Sequence, residues 1–139
     1  MSDLATLYAL IRRFEGCKLM PYLCPAGVWT AGWGSTGPDV FPGRAWTQEY
    51  ADRRLEQDAI KFARGTHAAC PGLSGERLCA IADFAYNLGL GALRGSTLRK
   101  RLNAQEWGAA KRELGRWVNG GGRKLPGLVL RRQAEAALL

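Results

Sequence analysis

Apolar residues recur at Leu4, Leu7, Leu10, Ile11 and Phe14, three and four positions apart, which is the spacing of one buried stripe on an α-helix. Ser2 or Asp3 can cap its start, and Gly16, just past the last apolar position, suits its end. A helix over 3–15 follows, with Glu15 on its last turn, where the helix dipole disfavours negative charge. The helical period then vanishes. Residues 17–46 are rich in Gly, Pro and Trp, and Val28, Thr30, Gly32 and Gly34 alternate with Trp29, Ala31 and Trp33 as a strand does. Pro25-Ala26-Gly27 supplies the turn before it and Thr36-Gly37-Pro38-Asp39 the turn after it, so a small antiparallel sheet is expected.

Helical patterning resumes at Trp46-Thr47. Thr47 caps a long helix whose buried face is Ala51, Leu55, Ala59 and Phe62, and Gly65 ends it. A loop over 66–73 contains Cys70-Pro71-Gly72. Ser74 then opens an apolar helix through Leu78, Ile81, Ala82, Ala85 and Leu88, closed by Gly89. Shorter helices are expected from Ser96 or Thr97 to Leu102 and over about 105–118. Asn119-Gly120-Gly121-Gly122 is a break, and Leu125-Pro126-Gly127 leads into a final helix over 128–139. Strands confined to one stretch and helices elsewhere predict an α+β fold. One domain over 1–139 is expected. A sheet-bearing lobe at about 17–46 and a connecting helix at about 47–65 would lead to a helical lobe at about 74–139, joined by the N-terminal helix 3–15. A cleft between two such lobes suits an extended ligand.

Composition narrows the picture little, since 47% hydrophobic and 23% charged residues are ordinary for a globular chain of 139 residues. No apolar run is long enough to span a bilayer, so stable membrane insertion is not expected. Met1–Phe14 lacks the order of a signal peptide, because Asp3 comes early and Arg12 and Arg13 follow the apolar residues. Synthesis and retention in the cytoplasm are therefore expected. Charge changes the picture more. Residues 1–93 carry 9 Lys and Arg against 9 Asp and Glu, whereas residues 94–139 carry 11 against 3. All of the +8 net charge lies in that last third, which favours an anionic polymer or surface. No helix-turn-helix, zinc-finger or RNA-binding signature accompanies it, so nucleic acid is not the expected partner.

The chemistry-bearing residues cluster early. Glu15 is followed after eight residues by Cys24, and Cys24 after five by Thr30, with Gly32-Trp33-Gly34 directly behind. An acid, a reactive thiol and a hydroxyl able to position water thus surround one small cleft. Cys17, Cys24, Cys70 and Cys79 lack zinc-ligand spacing, and neither a metal nor an organic cofactor is indicated. A Cys17–Cys24 disulfide is open if a turn lies between them; four free thiols are the expectation in a reducing cytoplasm.

The Glu15, Cys24, Thr30 spacing resembles the catalytic signature of phage-type lysozymes (endolysins), in which Asp or less often Cys takes the middle position. The likeness continues through Asp83-Phe84-Ala85-Tyr86-Asn87-Leu88-Gly89, Gly91-Ala92-Leu93, Ser96-Thr97-Leu98, Arg116-Trp117-Val118 and Gly127-Leu128 with Arg131-Arg132. It implies a lysozyme-like fold and a monomeric muramidase acting on peptidoglycan glycan strands, held in the host cytoplasm until release to the wall. Glu15, Cys24 and Thr30 would be the catalytic residues. Tyr86, Asn87 and Thr97 would line the sugar groove, and Arg131 or Arg132 would hold the Glu15 carboxylate. The basic C-terminal lobe would add attraction to the anionic envelope. A lytic transglycosylase, which needs one acid and no second carboxylate, stays open because Cys24 replaces the commoner Asp. So does a catalytically inactive glycan- or polyanion-binding protein. A neighbouring carboxylate would push the Cys24 thiol up, and the basic lobe would push it down.

Overall fold

The first helix, α1 (Ala5–Glu15), buries Leu7, Leu10 and Ile11, the apolar stripe of the sequence. The computed structural model describes residues 3–139. Asp3 Oδ1 accepts the Ala5 amide at 2.9 Å, satisfying one of the unpaired donors at the helix start; Ser2, the other candidate, lies outside the described residues. Gly16 follows at φ +68°, a left-handed conformation open to glycine, and turns the chain directly into β1 (Lys18–Leu23).

β1 pairs antiparallel with β2 (Trp29–Gly32), with Tyr22 opposite Thr30 and Leu23 opposite Trp29. The hairpin is closed by Cys24 and Val28, whose backbone groups bond at 3.0 Å around Pro25-Ala26-Gly27. β2 is shorter than the alternation over 28–34 suggests. Trp33 and Gly34 form a turn that brings Ser35 back to bridge Ala31, because both glycines hold positive φ there, +62° at Gly32 and +90° at Gly34. The sheet packs its inner residue Ala31 with Val40, Trp46 and Ala51 in a small core of its own.

α2 (Gln48–Ala69) is capped by Thr47, whose hydroxyl accepts the Tyr50 amide at 3.1 Å. It runs through Gly65 and ends at Ala69, so the expectation that Gly65 stops the helix is wrong. A Cβ at Gly65 would sit 2.5 Å from Leu90 Cδ1. The glycine is there for close helix approach, not for termination. α3 (Gly75–Leu88) follows, starting after an extended Ser74 that makes no capping bond and stopping at Gly89, φ +98°.

The remaining helices are α4 (Leu90–Arg94), α5 (Thr97–Asn103), α6 (Trp107–Leu114) and α7 (Pro126–Ala136). α4 was not expected, and α6 is shorter than 105–118. Between α6 and α7 the glycine run is no simple break but a tight hairpin, β3 (Asn119–Gly120) with β4 (Arg123–Lys124). Pro126 starts α7 from its first turn, where a missing amide costs nothing.

α3 is the centre of the fold. One face joins Leu7, Ile11, Leu55, Ala59 and Ala63 of α1 and α2. The other, around Phe84 and Ile81, packs with Leu93, Leu98, Leu102, Ala110 and Leu114 of α4–α6. Each fully buried leucine, isoleucine or phenylalanine contributes about 1.5–3 kcal/mol. α7 closes the arrangement against α3, and that contact carries the polar chemistry described next.

Candidate active site

Glu15 is placed by the end of a helix whose three preceding turns are anchored in the core. Its side chain is about one-fifth exposed, at the mouth of a cleft. Arg131 Nη1 of α7 donates to Glu15 Oε2 at 2.7 Å. The same guanidinium is gripped from behind by Asp83 of α3, Nε to Oδ2 at 2.9 Å and Nη2 to Oδ1 at 2.8 Å. Arg131 is 4% exposed and Asp83 fully buried, so this fork is fixed by packing as well as by charge. Despite its burial, which alone would lower it, the Arg131 guanidinium is held above its ordinary value by Asp83 and Glu15. Arg131 is thus the arginine that holds Glu15; Arg132 turns elsewhere.

Gly34 lies on the far side of the carboxylate. A Cβ there would come within 2.8 Å of Glu15 Oε1. The glycine behind Trp33 therefore lets the backbone lie against the carboxylate. Trp33 itself is tied at both ends: its indole donates to Asp52 Oδ1 at 2.9 Å, and its carbonyl accepts the Tyr86 hydroxyl at 2.6 Å.

The cleft encloses about 730 Å³, within the range of small-ligand sites. Glu15, Cys24, Thr30 and Gly34 line it from α1 and the sheet, Asp58 and Phe62 from α2, Tyr86 and Asn87 from α3, and Asn119, Gly120 and Leu128 from the far side. Glu15, Cys24 and Thr30 are brought together as the spacing suggests, because β1 and β2 fold back as one hairpin beside the end of α1. Thr30 is buried and donates its hydroxyl to Val28 O at 3.0 Å.

The Cys24 thiol lies at the open lip of the hairpin. It is held below its ordinary value, first by the Val28 backbone, against desolvation, and then by the Ala26 backbone, the Thr30 side chain and the Gly27 backbone. That departs from the expectation of an upward push from a neighbouring carboxylate: the hairpin backbone around Cys24 favours the thiolate. The disulfide is corrected too. Cys17 and Cys24 flank strand β1, not a turn, and seven extended steps separate their Cα atoms by roughly 20 Å. A bond between them would require dismantling β1. All four cysteines are free.

Of the groove residues, Tyr86 and Asn87 line the cleft and Thr97 does not. Tyr86 is largely fixed by the Trp33 carbonyl and by an edge contact with Phe62, and burial pushes its hydroxyl well up. Asn87 Oδ1 accepts Arg132 Nη2 at 2.7 Å. Thr97 is exposed at the start of α5, in a separate hollow with Ser96, Glu113, Arg116 and Trp117. The family resemblance implied a place for it in the groove; the turn at Gly95 carries it round the outside.

Asp83 and Asp58 carried no assigned role in the sequence reading. A lone Asp inside the apolar run Ile81–Ala85 was the available signal for Asp83. Asp58 accepts Ser35 Oγ at 2.7 Å across the cleft floor, a pairing between residues 23 apart that no local pattern marks.

The chain matches the family model described as phage lysozyme over residues 12–135. It is 39% identical over 135 residues to an endolysin of Acyrthosiphon pisum secondary endosymbiont phage 1, covering 93% of this chain and 91% of that one. It is 36% identical over 132 residues to the endolysin of Bacillus phage B103, and spans half the length of that relative. The muramidase domain of SpmX from Asticaccaulis excentricus superposes with a TM-score of 0.88 at 25% identity, covering 99% of this chain and 97% of that domain.

Proposed function

The chain belongs to the phage lysozyme family, and from that premise we propose that it hydrolyses the β-1,4 bond between N-acetylmuramic acid and N-acetylglucosamine in peptidoglycan, with Glu15 as the general acid. It is a lysozyme-type glycosidase with a lysozyme-like α+β fold. The observation that carries the assignment of roles is the Arg131–Glu15 contact at the mouth of a cleft that Cys24 and Thr30 also line.

In this reading Glu15 gives its proton to the glycosidic oxygen as the bond breaks. The carboxylate left behind is received by Arg131, already aimed at it, so negative charge develops against a fixed positive partner. Cys24, with its thiolate favoured by the hairpin amides, accepts a proton from water attacking the sugar carbon, or stabilises the cation forming there. Thr30 holds that water. Tyr86 and Asn87 fix the α3 wall against which the glycan lies.

The protein meets its substrate at the wall after release from the host cytoplasm, which in the family's setting a holin permits. Among the described residues no helix is long and apolar enough to cross a membrane. The basic residues of 94–139 add long-range attraction to the anionic envelope.

The experiment is lysis of permeabilised Gram-negative cells, with product analysis, by the parent and by Glu15→Gln. The parent should release new reducing ends, and Glu15→Gln should lose about 10²–10⁴-fold in rate while keeping the parent's circular dichroism. Undiminished lysis by folded Glu15→Gln would refute the assignment. Products ending in 1,6-anhydro rings would replace the hydrolase by a transglycosylase, and no cleavage by the parent would leave a binding protein.

A further inference from the structure

The turn Trp33-Gly34-Ser35 leaves the sheet and passes directly beside Glu15. Arg131 donates to Glu15 Oε2, and a guanidinium has only donors, so the proton that Glu15 transfers belongs on the other oxygen, Oε1. Oε1 is the oxygen that faces Gly34, where a Cβ would come within 2.8 Å of it. Whatever sets the backbone of this turn therefore sets the wall against which the transferable proton lies.

The turn does not hold itself. It is entered through Gly32 at φ +62° and passes through Gly34 at φ +90°, and glycine restricts its own backbone less than any other residue. The Ala31–Ser35 bridge closes its base, Ser35 N to Ala31 O at 2.8 Å and Ala31 N to Ser35 O at 3.0 Å. Three side-chain bonds then tie it to the helices. The Trp33 indole donates to Asp52 Oδ1 of α2 at 2.9 Å, the Ser35 hydroxyl to Asp58 Oδ2 of α2 at 2.7 Å, and the Tyr86 hydroxyl of α3 to the Trp33 carbonyl at 2.6 Å. The first two grip side chains on either side of Gly34. Tyr86 grips the peptide that leads into Gly34.

We propose that Tyr86 is a positioning residue for the reaction: its hydroxyl fixes the Trp33–Gly34 peptide and, through it, the Glu15 oxygen that gives up the proton. The tyrosine is itself steadied, since its ring meets Phe62 edge-on at 5.3 Å between centroids. Burial raises the hydroxyl above its ordinary value, so it remains a donor across the neutral range. Ring and hydroxyl thus have separate tasks. The ring walls the cleft, and the hydroxyl aims the acid.

The inference rests on Glu15 as the acid and is tested apart from it. Parent, Tyr86→Phe, Gly34→Ala and the double variant are compared for kcat and KM on soluble peptidoglycan strands at one pH, with thermal melts to show that each is folded at the assay temperature. Tyr86→Phe keeps the ring and its contact with Phe62 and loses only the bond to the Trp33 carbonyl. Its kcat should fall about 10-fold with KM within about twofold of the parent, the scale of a slightly misplaced catalytic group. In Gly34→Ala, where the turn and carboxylate have already parted, the same substitution should cost less than about twofold, because the two changes act on one contact. Parental kcat in Tyr86→Phe would overturn the proposal by leaving the hydroxyl idle, and a raised KM at unchanged kcat would overturn it by placing the hydroxyl on the glycan. The same loss in both backgrounds would overturn it too, because the effect would not then pass through the turn. If Gly34→Ala does not fold, kcat and KM of Tyr86→Phe decide alone. Activity in folded Glu15→Gln would instead remove the acid assignment, whatever the Tyr86 variants show.

Discussion

At the scale of single residues, two positions beside Glu15 make sharp demands. Cys24 replaces a carboxylate with a thiol whose ionisation the hairpin amides favour. If the thiolate does the work, the rate of the parent should rise with pH as the thiol passes through its lowered value. Cys24→Asp is ionised far below neutrality, with a reference value near 3.9, and should flatten that limb while matching or exceeding the parent. Cys24→Ala should lose about 10²-fold; equal rates in alanine and parent would leave Glu15 to act without it. Gly34 is the second. Its φ of +90° and the 2.8 Å approach of a Cβ to Glu15 Oε1 act together. Gly34→Ala should cost about 1–2 kcal/mol from the backbone and displace the carboxylate from Arg131. The expected activity loss, about 10²-fold, should exceed what a melting curve accounts for. A variant with lowered stability but parental kcat would show that the contact with Glu15 has no catalytic weight.

Among the elements, α2 shows how packing overrides a local signal. Gly65 looks like a helix end, and in an exposed helix glycine costs about 1 kcal/mol relative to alanine. Here the helix continues four residues beyond it because α4 lies so close that a Cβ would meet Leu90 Cδ1 at 2.5 Å and Cδ2 at 2.8 Å. Gly65→Ala sets that propensity gain against overpacking of about 1–3 kcal/mol. Overpacking should win, because three Leu90 atoms crowd the site. A net loss of about 1 kcal/mol by denaturant unfolding is expected, and Gly65→Ala with Leu90→Ala should recover the propensity gain at that contact. Stabilisation by Gly65→Ala alone would show that α4 gives way.

Across the whole molecule, the buried Glu135 and the half-buried Asp39 and Asp52 shape the pH profile of stability. Glu135 has its value raised in the folded state. Its contribution is present below the unfolded value near 4.5 and is lost as pH rises through the folded value. Asp39, tied to Arg54 and Tyr50, and Asp52, tied to Trp33 and Gln48, are lowered. Their contribution is present above about 3.8 and is lost as pH falls below it. The melting temperature should therefore fall as pH rises through the folded Glu135 value, and fall again in acid below about 3.8. Glu135→Gln should flatten the first slope and leave the second; a parental slope in that variant would remove Glu135 from the account. The one-sided charge acts at longer range. Wall binding should weaken as salt shortens the screening length to about 8 Å near 0.15 M. Lys111→Glu with Arg112→Glu, both exposed on α6, should bind less at low salt and respond less to added salt. Salt-independent binding by the parent would exclude the basic face as a docking aid.

Periodicity alone determined most of the elements. The stripes of α1, α2 and α3, the Thr47 cap and the Gly89 stop are local, so neighbouring residues in the sequence carry the signal. The acid, thiol and hydroxyl were legible for the same reason, since one helix end and one hairpin hold all three. What the sequence left open was decided by contacts between distant residues. Cys17 and Cys24 sit at the two ends of a strand because β2 pairs with the residues between them. Thr97 faces away from the cleft because α4 turns the chain outside it. Arg131 reaches Glu15, 116 residues away in sequence, only after α7 has docked on α3. Asp83 meets Arg131, and Glu135 is buried, in that same contact. A buried carboxylate is defined by what shields and pairs it, and neither the shield nor the partner exists until the helices meet.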